Sequence, residues 1–235
     1  MKRLFCSCLI CLYIFTGCGW FQTKEEKTSD ELAADGMEYF EEGKYKKAIE
    51  SFEKLKDWYP FSKYAILAEL KIADAHFFLK EFEDAIFAYE EFESLHPRNE
   101  AIPYVIYQIG RSYFKQVDTI DRDQTATRKA LDTFNRLIKN YPNSEYARKA
   151  WAYQTQCQKI LAGHELYVGI FYYKAKHYEA ALQRFRSIIS NYPDVGVHQK
   201  ALVYIAECEK AIRNMELEKK KASQEGNSKR FWKFW

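Results

Sequence analysis

The sequence predicts an all-α fold, a solenoid of about five helix pairs. The phrase Tyr-Pro-x-Ser-x-Tyr occurs at residues 59–64 and again at residues 141–146, with looser copies at residues 96–97 and 192–193. Proline ends a helix because it has no amide hydrogen and disfavours helical backbone in the preceding residue. Aromatic residues make up 17% of the chain and recur at helical rather than alternating spacing, which favours packed helices over strands. Four equivalent corners therefore predict a repeat.

Residues 1–17 are predicted to form a signal peptide. A basic start precedes the apolar run at 4–15, which is too short to span a bilayer comfortably as a permanent helix. The run ends in Phe-Thr-Gly-Cys, which resembles the bacterial lipobox, the signal whose cysteine is lipidated and becomes the mature N-terminus. We therefore expect Cys18 to be lipidated and to tether the protein to a membrane surface. The alternative is an ordinary secretory signal with an incidental cysteine.

The rest of the chain divides by composition into three segments. Residues 18–29 are polar and charged and are predicted to be a flexible linker, with Ser29 or Asp30 as the cap of the first helix. Residues 30–221 form the predicted tetratricopeptide-like solenoid. Residues 222–235 are a polar stretch with a basic-aromatic end, for which contact with anionic lipid, docking on a partner and a disordered tail are the alternatives.

The first helix pair, which ends at Pro60, matches the tetratricopeptide pattern. The matching residues are Gly36, Tyr39, Gly43, Tyr45, Ala48 and Phe52. Small residues let two antiparallel helices approach closely, and the aromatic rings fill the space that remains between them. Counting forward from each corner proline by the same step predicts the small residues of the later pairs, which are Ala73, Gly110, Thr155 and Ala206.

The corner prolines lie 37, 45 and 51 residues apart, whereas a tetratricopeptide unit has about 34 residues, so two units contain insertions. The first insertion is predicted to be a surface loop at residues 115–123. The second falls within residues 146–176, where the absence of proline predicts one long helix, either continuous or kinked at Gly163. After Pro193, a final helix is expected to close the solenoid with a polar surface.

In a solenoid of this kind, the first helices of the pairs line a concave groove that suits an extended peptide or a partner helix. The corner register predicts which side chains face the groove, and they are more aromatic than core packing requires. Exposed apolar patches of this kind commonly mark binding sites, although the chain's own superhelical packing is the alternative occupant. The predicted groove residues are Met37, Phe40, Leu70, Asp74, Phe77, Phe78, Tyr104, Tyr107 and Arg111.

The sequence contains little that points to catalysis, a metal or a cofactor. The five histidines are scattered, His164-Glu165 lacks the second histidine that a zinc hydrolase needs, and no phosphate-binding glycine loop is present. We therefore predict a protein that is not an enzyme, with no cofactor and no metal site. The net charge of +3, with acidic and basic residues interleaved, gives no sign of a nucleic-acid surface. Cys157 and Cys208 are expected to be small buried apolar groups, with a disulfide between them as the less favoured alternative.

The lipobox, the repeats and several short phrases together resemble the BamD family (ComL or YfiO type) of outer-membrane lipoproteins. The phrases are Tyr59-Pro60-Phe61, Tyr104-Val105-Ile106-Tyr107, Gly110, Asp121-Arg122-Asp123 and Tyr141-Pro142-Asn143-Ser144-Glu145-Tyr146. The resemblance covers residues 30–212. Its most specific part is the Tyr-Pro-Asn-Ser corner together with the Asp-Arg-Asp sequence before the preceding helix.

The resemblance implies a non-catalytic scaffold on the periplasmic face of the outer membrane, attached through lipidated Cys18. Its N-terminal repeats would receive unfolded outer-membrane proteins, whose targeting segments are aromatic-rich strands. Its C-terminal repeats would hold the periplasmic domains of the barrel subunit BamA, with Tyr173, Gln199 and Lys200 as the expected contacts. Other lipoproteins of the β-barrel assembly machinery are further implied partners. The alternative is a periplasmic tetratricopeptide scaffold that coordinates cell-wall synthesis or division, against which the lipobox and the early start of the repeats argue.

Overall fold

The computed structural model of the protein describes residues 26–231, and side chains through residue 224. Over this range the chain forms nine α-helices and no strand. The helices are α1 (Ser29–Glu41), α2 (Tyr45–Trp58), α3 (Ala65–Phe78), α4 (Phe82–Leu95), α5 (Ile102–Phe114), α6 (Thr125–Asn140), α7 (Glu145–Lys174), α8 (Tyr178–Asn191) and α9 (His198–Phe231). None of these helices is long and apolar enough to cross a membrane.

The helices form four antiparallel pairs, α1–α2, α3–α4, α5–α6 and α7–α8, and α9 packs on the last of them. Each helix contacts the one before it and the one after it, and the first helices also contact each other, α1 with α3 and α5 with α7. These mutual contacts place the first helices on the concave side of the molecule. The architecture is the predicted all-α solenoid of tetratricopeptide-like units.

The corner prolines end their helices with a repeated backbone conformation. The residue before proline has φ/ψ of −131°/57° at Tyr59, −125°/53° at His96 and −133°/54° at Tyr141. Of the four corners, the one at Tyr192 differs, with ψ of 144°. The loose sequence copy at His96 therefore has the same backbone conformation as the two full copies, whereas proline by itself excludes only helical backbone in the preceding residue, as Tyr192 shows.

The turn inside a helix pair is also repeated. Gly43, Lys80 and Lys176 occupy the same place in three pairs and have positive φ values of 74°, 64° and 62°. The next amide N–H donates back to a carbonyl near the end of the first helix, as Lys44 N does to Tyr39 O at 2.8 Å. A left-handed residue with such a bond is a common helix C-cap, and lysine adopts it at a conformational cost that glycine avoids.

Glycine at one equivalent place in three first helices lets an aromatic ring of the second helix touch the helix backbone. The pairs are Gly36 with Phe52, Gly110 with Phe134 and Gly169 with Phe185. A Cβ atom on these glycines would lie 2.5, 2.6 and 2.5 Å from the nearest ring carbon, closer than real Cβ atoms come. The remaining pair uses Ala73 and Tyr89 at the same places, and both are fully buried.

The prediction is wrong for two of the small residues expected between paired helices. Thr155 and Ala206 are exposed, and the Thr155 hydroxyl donates to the carbonyl oxygen of Trp151 in its own helix. The prediction counts forward from the corner proline, but α7 is lengthened, so the close-approach residue of the last pair is Gly169. Counting backward from the facing ring of Phe185, by the step that separates Phe52 from Gly36, gives Gly169.

Helix α7 has 30 residues and is continuous through Gly163, as one of the two predicted alternatives has it. Its first half contributes Ala150 to the same core as α6, and its second half contributes Ala162 to the core that contains α8. One helix therefore serves two pairs. The predicted loop at residues 115–123 folds against the middle of α7, where His164 Nδ1 donates to Ile120 O at 2.6 Å.

The ends of α1 and α9 differ from their predicted positions. Thr28, and neither of the two predicted residues, caps α1 in a capping box with Glu31, in which each side chain accepts from the other's backbone N–H. Helix α9 continues to Phe231, beyond the predicted end at Lys221. The sequence before that point is rich in lysine and glutamate, which favour helix, and no proline follows it to end the helix.

Cys157 and Cys208 are both free and fully buried, in separate core clusters, as the sequence predicts. Burial raises the pKa of the Cys157 thiol to about 12 and also raises the pKa of Cys208. Neither thiol therefore carries reactive thiolate character at neutral pH.

Candidate functional site

Four aromatic rings occupy equivalent positions near the ends of the first helices. They are Phe40, Phe77, Phe114 and Tyr173. Lys71 Nζ lies 4.6 Å from the centre of the first ring, and the Arg111 guanidinium lies 4.7 Å from the centre of the second. Tyr153 and Tyr204 cover the third and fourth rings, with 5.0 and 5.2 Å between ring centres. The next unit of the solenoid therefore covers each ring and fills part of the predicted groove.

Two predicted groove residues are buried instead of open. Phe77 is 6% exposed. Arg111, Phe78 and Phe82 enclose its ring. Asp74 is 3% exposed and accepts hydrogen bonds in the interior. The prediction that these two side chains face an open groove is wrong, because the neighbouring unit covers the helix face on which they lie.

The accessible part of the groove centres on Phe78, which is 49% exposed. Tyr45 stacks on it, with ring centres 5.1 Å apart and 11° between the ring planes. Phe40 meets both rings edge-on, at 5.3 Å from the ring of Tyr45 and 5.7 Å from that of Phe78. We call these three rings and the Lys71 ammonium the Phe78 cluster. Stacked and edge-on rings attract each other, so the cluster is a preformed apolar surface with one cation.

A buried polar network lies beneath the groove where α3, α4 and α5 meet. Asp74 Oδ1 accepts hydrogen bonds from the hydroxyls of Tyr89 at 2.7 Å and Tyr104 at 2.6 Å. Its Oδ2 accepts from Lys71 Nζ at 3.1 Å. Burial, and then the Asp74 charge, raise the pKa of both tyrosines, so their hydroxyls stay protonated as donors. The predicted groove residue Tyr104 thus ties two units together through its hydroxyl.

Arg111 connects this network to the groove. Its Nη1 donates to Gln108 Oε1 at 2.8 Å, and Gln108 Nε2 donates to the Tyr104 hydroxyl at 3.1 Å. The guanidinium lies over the ring of Phe77 and 5.6 Å from the centre of the Tyr107 ring. Its Nε is buried and has no hydrogen-bond partner in the described part of the chain. The residue is half-buried, so it presents a second cation to the groove in a fixed position.

The aromatic surface continues from α5 onto α7. Tyr107 lies 5.6 Å from Tyr146 and 6.0 Å from Tyr153, measured between ring centres. Sequence reasoning misses Tyr146 because its corner phrase indicates a turn, and misses Tyr153 because the lengthened α7 hides the register. It also assigns Tyr45 to the space between paired helices, whereas the ring stacks on Phe78.

The other N-terminal predictions are intermediate cases. Met37 and Leu70 are half-buried and pack against the hydrophobic core. The structure therefore brings Phe40 and Phe78 together on one accessible surface. It places Tyr107 beside Arg111 one unit further along.

The predicted C-terminal contacts lie around a shallow cavity of about 460 Å³ at the start of α9. The cavity is lined by Gly196, Gln199, Lys200, Val203, Tyr204 and Glu207. The ring of Tyr173 meets that of Tyr204 edge-on at 5.2 Å, and the nearby Glu207 carboxylate raises the pKa of Tyr173. Gln199 and Lys200 are exposed, and Tyr173 is half-buried behind them. All three predicted residues thus belong to one surface.

Residues 25–225 match the YfiO family model, described as an outer membrane lipoprotein. The chain belongs to this family. Several YfiO-type relatives are named outer membrane protein assembly factor BamD. The one from Rickettsia prowazekii is 30% identical over an alignment of 214 residues, which covers 88% of this chain and 83% of the relative. The one from Caulobacter vibrioides is 29% identical over 78% of this chain and 60% of the relative, and the one from Neisseria gonorrhoeae is 28% identical over 78% and 73%.

Among solved structures, the chain is similar to the TPR2AB domain of yeast Sti1 in its complex with pHSP90. The TM-score is 0.48 and the identity 17%, over 79% of this chain and 76% of that one. The predicted lipidation residue Cys18 and the predicted signal peptide lie outside the described residues, which begin at residue 26.

Proposed function

We propose that the protein is a non-catalytic scaffold of the outer-membrane β-barrel assembly machinery. Its membership in the YfiO family of outer-membrane lipoproteins supports this, as do relatives that are named assembly factors for outer membrane proteins. In this proposal lipidated Cys18 holds the solenoid on the periplasmic face of the outer membrane. A solenoid presents extended binding surfaces and needs no chemistry of its own for such a role.

The groove is proposed to capture unfolded outer-membrane proteins. The observation that carries this is the Phe78 cluster, an exposed aromatic surface beside the cations of Lys71 and Arg111. Aromatic side chains of an extended substrate would pack on Phe78, and carboxylates of the substrate would pair with the two cations. Since the rings already pack against each other in the free protein, they lose little conformational freedom on binding.

Photo-crosslinking tests this capture. A photoreactive phenylalanine analogue at Glu41, exposed at the end of α1, reports contact with newly made outer-membrane proteins. Phe78→Ala should lower the crosslinking yield several-fold, because truncating a central aromatic contact commonly weakens binding by more than about 1 kcal/mol. Phe87→Ala is the matched control, since Phe87 is 70% exposed on the second helix of the same pair. An unchanged yield with Phe78→Ala would exclude the groove as the capture site.

The C-terminal surface is proposed to hold the periplasmic domains of BamA. The exposed side chains of Gln199 and Lys200 beside an open cavity support this assignment, as does the position of this surface on α9, with α4 to α8 between it and the Phe78 cluster along the chain. Other lipoproteins of the machinery would bind elsewhere on the solenoid.

A further inference from the structure

The turn between α3 and α4 brings three metal-ligating side chains together. His76 Nδ1 lies 2.8 Å from a carboxylate oxygen of Glu81. One ligand atom each from His76, Glu81 and Asp84 lie within 4.8 Å of one another. The side chains of His76 and Glu81 are 22% and 38% exposed, and Asp84 is exposed, so an ion can reach all three. We propose that this triad binds a divalent transition-metal ion of the Zn²⁺ type.

The donor set suits this class of ion. Zn²⁺ takes nitrogen and oxygen ligands at about 2.0–2.2 Å, commonly four of them in a tetrahedron. One imidazole nitrogen and two carboxylates supply three, and water supplies the fourth. Mg²⁺ and Ca²⁺ prefer oxygen ligands alone, so the histidine favours a transition metal. The hydrogen bond between His76 Nδ1 and Glu81 must open to admit the ion, and Asp84 must approach, which rotation of the exposed side chains can supply.

The backbone of the turn fixes the spacing between the ligands. Glu81 N donates to His76 O at 3.0 Å, and Lys80 between them has the left-handed φ of 64°. His76 belongs to the last turn of α3 and Asp84 to the first turn of α4. Binding therefore costs side-chain freedom and the hydrogen bond between His76 and Glu81.

The other helix pairs show that the fold of this turn does not require these residues. The first pair has Tyr39, Lys44 and Lys47 at the three places, and the last pair has Tyr172, His177 and Ala180. In the first pair Lys47 Nζ lies 5.6 Å from the centre of the Tyr39 ring, so a cation and a ring occupy the corner. The second pair differs by carrying two carboxylates and an imidazole together. If these side chains served only to stabilise the turn, the hydrogen bond between His76 and Glu81 would suffice and Asp84 would not be needed.

Titration of the full chain with ZnCl₂ tests the proposal. The protein is processed in the cell, purified in detergent without a histidine tag, and studied by isothermal titration calorimetry. We expect one site whose affinity falls at least tenfold with Glu81→Gln and with Asp84→Asn. His76→Tyr should abolish the site and keep the fold, because the first and last pairs have tyrosine at that place.

A second histidine provides the matched control. His96 Nε2 lies 2.6 Å from a Glu69 carboxylate oxygen, but this pair has no third ligand in the described part of the chain. His96→Gln should therefore leave zinc affinity unchanged. Zinc should also raise the melting temperature of the unaltered protein and not that of His76→Tyr. Absence of binding, binding that survives His76→Tyr, or full affinity in Asp84→Asn would each overturn the three-ligand site.

Discussion

At the scale of single residues, Gly169 decides how closely α7 and α8 approach. A Cβ atom there would lie 2.5 Å from the ring of Phe185. Gly169→Ala should lower the free energy of unfolding by about 2 kcal/mol, in the range for overpacked cores, as measured by urea denaturation. Thr155→Ala, at an exposed site of the same helix, should change it by less than about 0.5 kcal/mol. Equal losses in the two variants would contradict this assignment.

The sequence predicts on which face of its helix a residue lies, but it does not predict how exposed the side chain is. Phe40 and Phe77 share one register position, yet Phe78 beside them is the exposed ring. What covers a ring is a residue one unit further along, Lys71 in one case and Arg111 in the other. The distance along the chain between a ring and its cover varies with the insertions, so periodicity within one unit cannot supply it.

At the scale of elements, the left-handed turn residues limit stability. Lys176 has φ of 62°, a conformation that costs an L-residue roughly 1–2 kcal/mol. Glycine avoids this cost, but it loses more backbone entropy on folding, which offsets part of the gain. Lys176→Gly should therefore raise the free energy of unfolding by about 0.5–1 kcal/mol. Urea denaturation measures this.

Gly43 is the natural counterpart of that substitution. Its φ is 74°, and a Cβ atom there would meet nothing within 4 Å, so Gly43→Ala tests backbone strain alone. This variant should be less stable than the unaltered protein. If Lys176→Gly destabilises the protein while Gly43→Ala does not, the left-handed conformation is not what limits these turns.

Helix ends are predictable where they depend on local chemistry and less so where they depend on length. The corners at Tyr59, His96 and Tyr141 follow from proline alone, and the helices end there. The extension of α9 to Phe231 crosses Gly226, Asn227 and Ser228, which have low helix propensity, so composition did not predict it. The close-approach position of α7 depends on which of its two halves faces α8, a tertiary property.

At the scale of the whole molecule, the two proposed surfaces should fail independently. Lys200→Glu reverses a charge beside the C-terminal cavity and should reduce co-purification of BamA from detergent extracts several-fold. It should leave crosslinking from Glu41 unchanged. Phe78→Ala should have the opposite pattern, with crosslinking lost and BamA retained.

The control for this pair of results is Lys139→Glu, an exposed charge reversal at the end of α6. It should alter neither measurement. If Lys200→Glu and Phe78→Ala each reduce both measurements, the two surfaces are one binding site or the variants disturb the fold, and the separate assignment is wrong.

The whole architecture is the most predictable level, since each repeat supplies the same information again. Gly36 and Gly110 with their facing rings define the pair, and the corners define the step between pairs. An error in one unit, such as Thr155, does not alter the fold class.

Helix α7 also sets a distance and an angle. A helix of 30 residues is about 45 Å long, and the one that holds Ala150 and Ala162 in different cores leaves no joint between them. Tyr146 and Tyr153 in its first half extend the aromatic surface of α5, and Tyr173 in its last turn contacts Tyr204 of the C-terminal cavity, so one helix connects these two places. Each residue of α7 adds about 1.5 Å of separation and about 100° of rotation between the side chains at its two ends. In the proposed function, the length of α7 would set the distance between a chain held on the aromatic surface and a partner held at the C-terminal cavity.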